Sequence, residues 1–467
     1  MALKIFNTLT RELELFEPIN GPHVGLYTCG PTVYNYPHIG NWRAYIFADL
    51  LKRYLIYRGY EVKHIVNITD VEDKIIKALE EKNQSLESLT TFYTNEFYKD
   101  RDILNILKAD VYTKATNYIE EMINLTESLI EKDYAYRTDD GSVYFDISKD
   151  KNYGKLSHFK ISDLKENAKG RLKKDEYEKE NAEDFVLWKA WVKEDGNVFW
   201  DPKVILGRET PLGKGRPGWH IECSAMSMKN LGESFDLHTG GVDNIFPHHE
   251  NEIAQSECST GKPFVKYFMH NEHLMVDGEK MAKSAGNFYT LEDLINKGIN
   301  PIAFRLWLYT SNYKTKTNFT LEVVLGAETA LKRLKEALLS LGNDMGNINE
   351  EYKNRFMEYL DNNLDSPKAL ALVWELLKDK NISNADKKIT ILDFDKVFGF
   401  GLDKIEENLK TEDDIPQSIK MLIEERQEAR RIKDWAKSDE LRDKIKELGY
   451  EIKDTEESYK ISKIQKH

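Results

Sequence analysis

The chain has 467 residues, 67 Lys plus Arg against 80 Asp plus Glu for a formal charge of -13, and a hydrophobic fraction of 40%. Its length exceeds one ordinary core, its 24 Tyr, 20 Phe and 8 Trp exclude wholesale disorder, and its negative charge excludes indiscriminate coating of nucleic acid through Lys and Arg. No apolar run reaches the roughly 18 residues of a membrane helix, no secretory pattern opens the sequence, and the three cysteines Cys29, Cys223 and Cys258 make no disulfide framework. A cytoplasmic, non-membrane protein whose cysteines have chemical work is therefore expected.

The first element is a short apolar strand, Val24 to Gly30, followed by a Pro- and Tyr-rich loop to His38. A helix is expected from about Asn41 to Arg58, with Ala44, Phe47, Ala48, Leu51 and Leu55 near one face, stopped by Gly59. Glu61 to Ile68 then returns as a second strand, so the chain opens as a parallel α/β sheet. Ligands of such sheets bind beyond the carboxyl ends of the strands, where Cys29, His38, Thr69 and Asp70 fall.

Mostly helical sequence is expected from Val71 to Lys132, then a hairpin from Tyr134 to Ile147 turning at Asp139-Asp140-Gly141. The Lys- and Glu-rich stretch from Asp150 to Asn181 has the composition of an exposed insertion. Turn-rich Pro211 to Gly218 leads into Trp219-His220-Ile221-Glu222-Cys223, a helix is expected over Ser224 to Leu231, and a strand over Phe235 to His238 ends at Thr239-Gly240-Gly241. From Leu321 to Leu377 leucines such as Leu331, Leu334, Leu338 and Leu339 recur at helical spacing, a packing core. Asp403 to Pro416 has the composition of a linker, and a highly charged helix pair leads to Tyr450-Glu451-Ile452-Lys453-Asp454. From Lys420 onward 13 Lys plus Arg meet 12 Asp plus Glu, so the tail is relatively basic.

Two groups of residues carry chemistry. Pro247-His248-His249-Glu250-Asn251-Glu252 is the densest set of metal-ligating side chains, and His248 and Glu252, four apart, share one face of a helix. Imidazole and carboxylate suit zinc, and Cys29 and Cys223 offer thiolates, although spacing alone leaves open a capped surface helix and buried, inert cysteines; Cys258 looks inert. The second group handles phosphate. Pro37-His38-Ile39-Gly40-Asn41 opens the first helix, and Lys280-Met281-Ala282-Lys283-Ser284 lies in a charged loop, where two ammoniums and a hydroxyl can gather around departing pyrophosphate.

On the segments Tyr27 to Tyr34, Asn67-Ile68-Thr69-Asp70, Gly218 to Cys223 and Phe246 to Glu252, the chain resembles the cysteinyl-tRNA synthetases, a class I aminoacyl-tRNA synthetase family, over essentially its whole length. The resemblance implies one zinc ion held by Cys29, Cys223, His248 and Glu252 that takes the substrate thiolate, and an amino-acid pocket shaped by Thr69, Trp219 and His238. It implies ATP, used with Mg2+, bound through His38, Gly40, Asn41, Asp243 and Lys283, with His38, Lys280 and Lys283 catalytic. The family's His-Ile-Gly-His motif ends here in Asn41, which cannot carry a proton charge, and Ala282 replaces the central Ser of its KMSKS loop.

The fold implied is a Rossmann-like parallel-sheet α/β catalytic domain, residues 1–125 and 210–265, split by a connective insertion over 126–209. A stem-contact region (266–320), a helical bundle (321–403) and a small anticodon-side domain (404–467) follow. Arg426, Arg430, Arg431, Lys433, Trp435 and Lys437 are candidates for tRNA contacts. Partners are then L-cysteine, ATP and tRNA-Cys, and the family expectation is a monomer. A cysteine ligase with a small-amine acceptor and a noncatalytic tRNA-binding paralogue, motivated by Asn41 and Ala282, are the alternatives.

Overall fold

A computed structural model describes residues 2–159, 184–281, 287–405, 417–432, 434–454 and 459–463. The stretch expected to be an exposed insertion lies largely outside these residues, as do the end of the expected linker, Ala282, Lys283 and Lys433.

After an N-terminal hairpin of β1 (Lys4–Asn7) and β2 (Glu12–Leu15), the chain enters β3 (His23–Thr28), helix α1 (Ile39–Tyr57) and β4 (Glu61–Ile68), the opening unit expected from sequence. β3 and β4 pair in parallel from His23↔Glu61 to Thr28↔Val66. Two helices, α2 (Asp73–Lys82) and α3 (Leu86–Ile103), lead to β5 (Val111–Lys114), a four-residue strand within sequence expected to be helical. Its mixture of Val, Tyr, Thr and Lys carries little period-two signal, and pairing with β4 supplies what the pattern lacks.

Helix α4 (Ile119–Glu131) precedes a small antiparallel sheet of β6 (Ala135–Arg137), β7 (Val143–Phe145), β8 (Phe185–Ala190) and, after short helix α5 (Pro202–Leu206), β9 (Gly215–Pro217). β6 and β7 form the expected hairpin, closed by Thr138 N donating to Ser142 O, with Gly141 at φ 93° in a conformation that favours glycine. The catalytic half resumes with α6 (Trp219–Leu231), which begins five residues earlier than expected, and β10 (Phe235–Gly241). Gly218 caps α6, and a Cβ there would meet Val186 O at 2.1 Å, so glycine lets the helix start against β8. Helix α7 (Glu250–Thr260) and β11 (Val265–Asn271) complete the main sheet.

That sheet has the order β11-β10-β3-β4-β5 with every pairing parallel. Taken in chain order this is 3-2-1-4-5, the doubly wound arrangement whose direction of winding reverses between β3 and β10. Burial on both faces makes the strands almost continuously apolar, as in β10, where Phe235 to Gly240 are all buried. β11 carries the sheet past residue 265, beyond the catalytic segment drawn from sequence.

Beyond it come β12 (Leu274–Val276), β13 (Glu279–Lys280), helices α8 (Leu291–Asn296) and α9 (Pro301–Leu308), and β14 (Thr317–Phe319). The leucine-periodic region is three helices, α10 (Leu321–Ser340), α11 (Glu350–Asp361) and α12 (Ser366–Lys378), joined by a fourth, α13 (Asn384–Phe398). Leu331, Leu334 and Leu338 are buried as their spacing requires. The C-terminal helix pair, α14 (Gln417–Arg431) and α15 (Trp435–Glu447), with strands β15 (Tyr450–Asp454) and β16 (Tyr459–Lys463), has its own small core of Ile419, Ile423, Ile445, Tyr450 and Ile452.

Helix α1 joins the sheet to the bundle. Its apolar residues share one continuous core with Leu334, Phe356, Leu370 and Phe394. Its buried Asp49 receives Arg53 Nε at 2.7 Å, Leu107 N at 2.8 Å and Arg305 Nη2 of α9. Arg305 in turn donates from Nε to Phe398 O at 2.7 Å and from Nη1 to Leu104 O at 3.0 Å. Burial alone would raise the Asp49 carboxyl, but Arg305 and Arg53 hold it below its ordinary value, so it stays charged. Asp49→Ala leaves two buried guanidiniums without their counterion, and we expect it to cost about 3–5 kcal/mol, read as an earlier urea midpoint by intrinsic fluorescence.

Candidate metal and nucleotide site

The reversal between β3 and β10 opens a crevice at their carboxyl ends, and the chemistry converges there. β3 delivers Cys29, whose N–H donates to Thr239 O of β10 at 3.2 Å. The next residue must be glycine: a Cβ on Gly30 would lie 1.7 Å from Asn67 O, and Gly30 N donates to Asn67 Oδ1 at 2.6 Å. The start of the second turn of α6 supplies Cys223, a short turn over 245–249 supplies His248, and the first turn of α7 supplies Glu252. One ligand atom from each of Cys29, Cys223, His248 and Glu252 lies within 4.8 Å of the others. The i, i+4 expectation holds, with His248 Nε2 3.0 Å from Glu252 Oε1.

A second grouping, Cys29, His238, His249 and Glu252, overlaps the first. Its histidines are tied into a chain: His249 Nε2 lies 3.2 Å from Cys29 Sγ, its Nδ1 lies 2.8 Å from His270 Nε2, and His270 Nδ1 lies 2.8 Å from Thr8 Oγ1. His238 Nε2 meets Glu252 Oε2 at 2.9 Å. His248 is oriented from outside by His220, Nδ1 to Nδ1 at 2.9 Å, and by the Trp219 ring stacked on it at 4.1 Å, so its Nε2 faces the cluster.

Burial sets the protonation. It pushes His248 and His249 well below the ordinary histidine value and His220 and His270 down to about 3, so these imidazoles are neutral. Burial likewise raises Cys29, Cys223 and Glu252. Glu252 Oε1 is buried and accepts no hydrogen bond despite its close neighbours. Two sulfurs, an imidazole nitrogen and a carboxyl oxygen thus face one point, and this mixed N, S and O set suits zinc. The grouping with two histidines offers the same three kinds of donor.

The residues expected around an amino acid surround this cluster. Thr69 Oγ1 donates to Glu222 Oε2 at 3.0 Å and accepts from Asn67 Nδ2 at 3.1 Å, Trp219 covers His248, and His238 holds Glu252. Sequence reasoning gave no role to His220, His249 and His270. With His238 and His248 they put five of the chain's 11 histidines in one place, and clustering in sequence around 220 and 248 was the available signal.

On the phosphate side, His38 is the N-cap of α1. Its Nδ1 accepts from Asn41 N at 3.1 Å while its own N donates to Asn41 Oδ1 at 3.1 Å, a reciprocal capping box. Asn41 therefore orients His38 and keeps its amide hydrogens for donation. A Cβ on Gly40 would meet Met281 Cε at 2.6 Å, and on the far side of residues 282–286 Phe288 stands edge-on to the His38 ring at 5.3 Å. Lys280 ends β13, paired with Met275, and Lys283 lies outside the described residues. Asp243 follows β10 at the crevice, exposed, 3.2 Å from His273 Nδ1.

Among the residues expected to touch RNA, Arg426 is corrected: it is fully buried. It falls on the same face of α14 as Ile419, Ile423 and Ala429, so the helix turns it into the small core. Trp435 is 56% exposed with the Arg430 guanidinium 5.8 Å from its ring, Arg431 pairs with Glu428, and Lys437 is exposed. Lys433 lies outside the described residues.

Residues 15–329 match the family model of the tRNA synthetases class I (C) catalytic domain, and residues 412–459 match that of the cysteinyl-tRNA ligase anticodon binding domain. The chain is 46% identical to a cysteine–tRNA ligase of Brachyspira hyodysenteriae, over 97% of this chain and 98% of that one. It is 45% identical to a cysteine–tRNA ligase of Chlamydia felis, over 99% and 98%. Among solved structures, a Mycobacterium tuberculosis methionyl-tRNA synthetase in complex with methionyl-adenylate aligns with TM-score 0.57 over 83% of this chain and 94% of that one, a likeness of fold at 14% identity.

Burial raises both thiols, so an ion that takes both sulfurs displaces two thiol protons. Zinc affinity measured by chelator competition is expected to fall by about two decades per pH unit lost between pH 8 and 6, and by one decade in Cys223→Ser.

Proposed function

The chain belongs to the cysteine–tRNA ligase family of class I aminoacyl-tRNA synthetases, and on that premise we propose that it activates L-cysteine with ATP, transfers it to tRNA-Cys, and recognises the substrate thiol at a zinc ion held by Cys29, Cys223, His248 and Glu252. The observation that carries the reading is the buried convergence of those four side chains at the carboxyl ends of β3 and β10. When bound, the zinc supplies a Lewis acid that favours a soft thiolate over an alcohol, which separates cysteine from serine where shape alone discriminates poorly.

The protein's own groups do the rest. The carboxylate of cysteine attacks the α-phosphorus of ATP, bound with Mg2+, and pyrophosphate departs as cysteinyl-adenylate forms. His38, fixed by Asn41, stands at the N-terminus of α1, where backbone N–H groups and the helix dipole favour phosphate. Gly40 keeps the backbone open to the nucleotide, and Asp243 accepts from the ribose hydroxyls. Lys280 and Lys283 flank the pyrophosphate and stabilise the charge that develops on it. Support for bringing that loop to the phosphates comes from its flanks, since Met281 and Phe288 both pack against the His38–Gly40 turn. The terminal ribose hydroxyl of tRNA then attacks the activated carbonyl, and AMP leaves. Thr69, Trp219 and His238 shape the amino-acid pocket. Arg430, Arg431, Trp435 and Lys437 face the RNA from the C-terminal unit, with Trp435 available for base stacking, and Lys433 adds its charge to the same stretch of sequence.

Two experiments test this reading. Cys29→Ala is expected to lower zinc content and to reduce the preference for cysteine over serine in ATP–pyrophosphate exchange by about 100-fold or more; normal zinc with an unchanged preference refutes the assignment. Removing residues 406–467 takes away the separate small core and leaves Leu402 and Ile405 packed on the main one. Exchange should then stay within about 2-fold of the full chain while tRNA charging falls about 100-fold. Equal loss of both would assign the C-terminal unit to folding.

A further inference from the structure

One buried group beside the cluster has no part in the chemistry above. Glu222 is 0% exposed; its Oε2 accepts the Thr69 hydroxyl at 3.0 Å, and its Oε1 has no hydrogen-bond partner among the described residues. Leaving a buried carboxyl oxygen without a partner is costly, and such an atom calls for a ligand. Two further acidic side chains, Asp70 and Glu72, stand near it, a setting that suits a cation. The cation acting on it, Arg216, is already committed to Asp195 at 3.1 Å and to Asp73.

The position is equally specific. Gly30 N donates to Asn67 Oδ1, Asn67 Nδ2 to Thr69 Oγ1, and Thr69 Oγ1 to Glu222 Oε2. This polar chain runs from the residue after Cys29 to the residue before Cys223, and so spans the crevice beside both sulfur ligands. Thr69 Oγ1, having donated one bond and accepted one, keeps a second lone pair. A short cationic group arriving here would find a carboxylate oxygen and a hydroxyl oxygen together.

We propose that Glu222, with Thr69, receives the α-ammonium group of the amino-acid substrate and is thereby a positioning and specificity residue for adenylate formation. The inference rests on the proposed reading of cysteine as substrate. In cysteine the ammonium nitrogen is three bonds from the sulfur, so a molecule anchored by its thiol at the cluster offers its ammonium to the neighbouring carboxylate and turns its own carboxylate toward the nucleotide. Glu222 thus selects α-amino thiols over simple thiols.

The test uses the full-length zinc-loaded protein. Wild type is first assayed for zinc content and cysteine-dependent ATP–pyrophosphate exchange; failure at this step counts against the parent reading, before Glu222 is touched. Glu222→Gln is then expected to raise KM for cysteine about 10- to 100-fold, the range of a hydrogen bond to a charged group, with zinc content and KM for ATP unchanged. Competition with 3-mercaptopropionate, which is cysteine without its amino group, separates positioning from general damage. Wild type should prefer cysteine to this analogue by about 10-fold or more, and in Glu222→Gln the preference should collapse toward unity. A preference unchanged from wild type, whether or not both ligands bind more weakly, overturns the proposal. A measurement on wild type alone guards against a variant that does not fold: cysteamine must compete with cysteine about 10-fold better than ethanethiol, and equal competition overturns the proposal as well.

Discussion

The structure is organised around a buried convergence of metal-ligating side chains. Glu252 is fully buried, one of its oxygens accepts nothing, and two sulfurs and two imidazole nitrogens crowd the same point. Thiols, imidazoles and a carboxyl gathered out of water in this way form a donor set that suits a metal ion. Much of the neighbouring architecture holds that arrangement in place. Cys29 is pinned to β10 through Thr239, Gly30 is reduced to a bare backbone so that Asn67 can approach, and His220 and Trp219 fix the ring of His248.

The proposed nucleotide side follows a different logic, with one helix tied to both the sheet and the bundle. α1 begins at His38 and ends among residues of the bundle: Tyr54 donates to Asp361, Tyr57 to Asp393, and Arg53 to Lys396 O. Its charged residues Asp49 and Arg53 are buried because they meet each other, Arg305 and the backbone carbonyls of Asn105 and Lys396. The turn proposed to bind phosphate thereby rests on a helix braced by two other parts of the molecule, the preorganisation that electrostatic stabilisation of a leaving group requires. The replacement of the motif's last histidine by Asn41 fits this frame, since a carboxamide closes the capping box that holds His38.

Much was legible in the residues themselves. The unit β3–α1–β4, the hairpin at Gly141, the strand ending at Gly241 and the leucine stripe of the bundle all follow from periodicity and turn chemistry. Elements whose signal is supplied by neighbours were not. β5 is a strand only because β4 offers it an edge, α6 begins early because Gly218 can press against β8, and Arg426 is apolar in position though not in chemistry. Its case is instructive: a composition-based reading assigns every arginine of a charged helix to solvent, whereas the helical phase of Ile419 and Ile423 assigns this one to the core.

By itself the sequence determined the local elements and the chemistry of the donors, because hydrophobic period, capping residues and ligand type are properties of a few adjacent residues. His248 and Glu252 shared a face on that ground alone. Only the tertiary structure decided which distant groups meet. Cys29 and His249 stand 220 positions apart in the chain and 3.2 Å apart in space, and Glu222 finds Thr69 across 153 positions. Those meetings are set by the strand order, which places β10 against β3 and turns both carboxyl ends to one crevice. Strand order is fixed by the cooperative packing of the whole sheet and its helices, and no short stretch of sequence contains it.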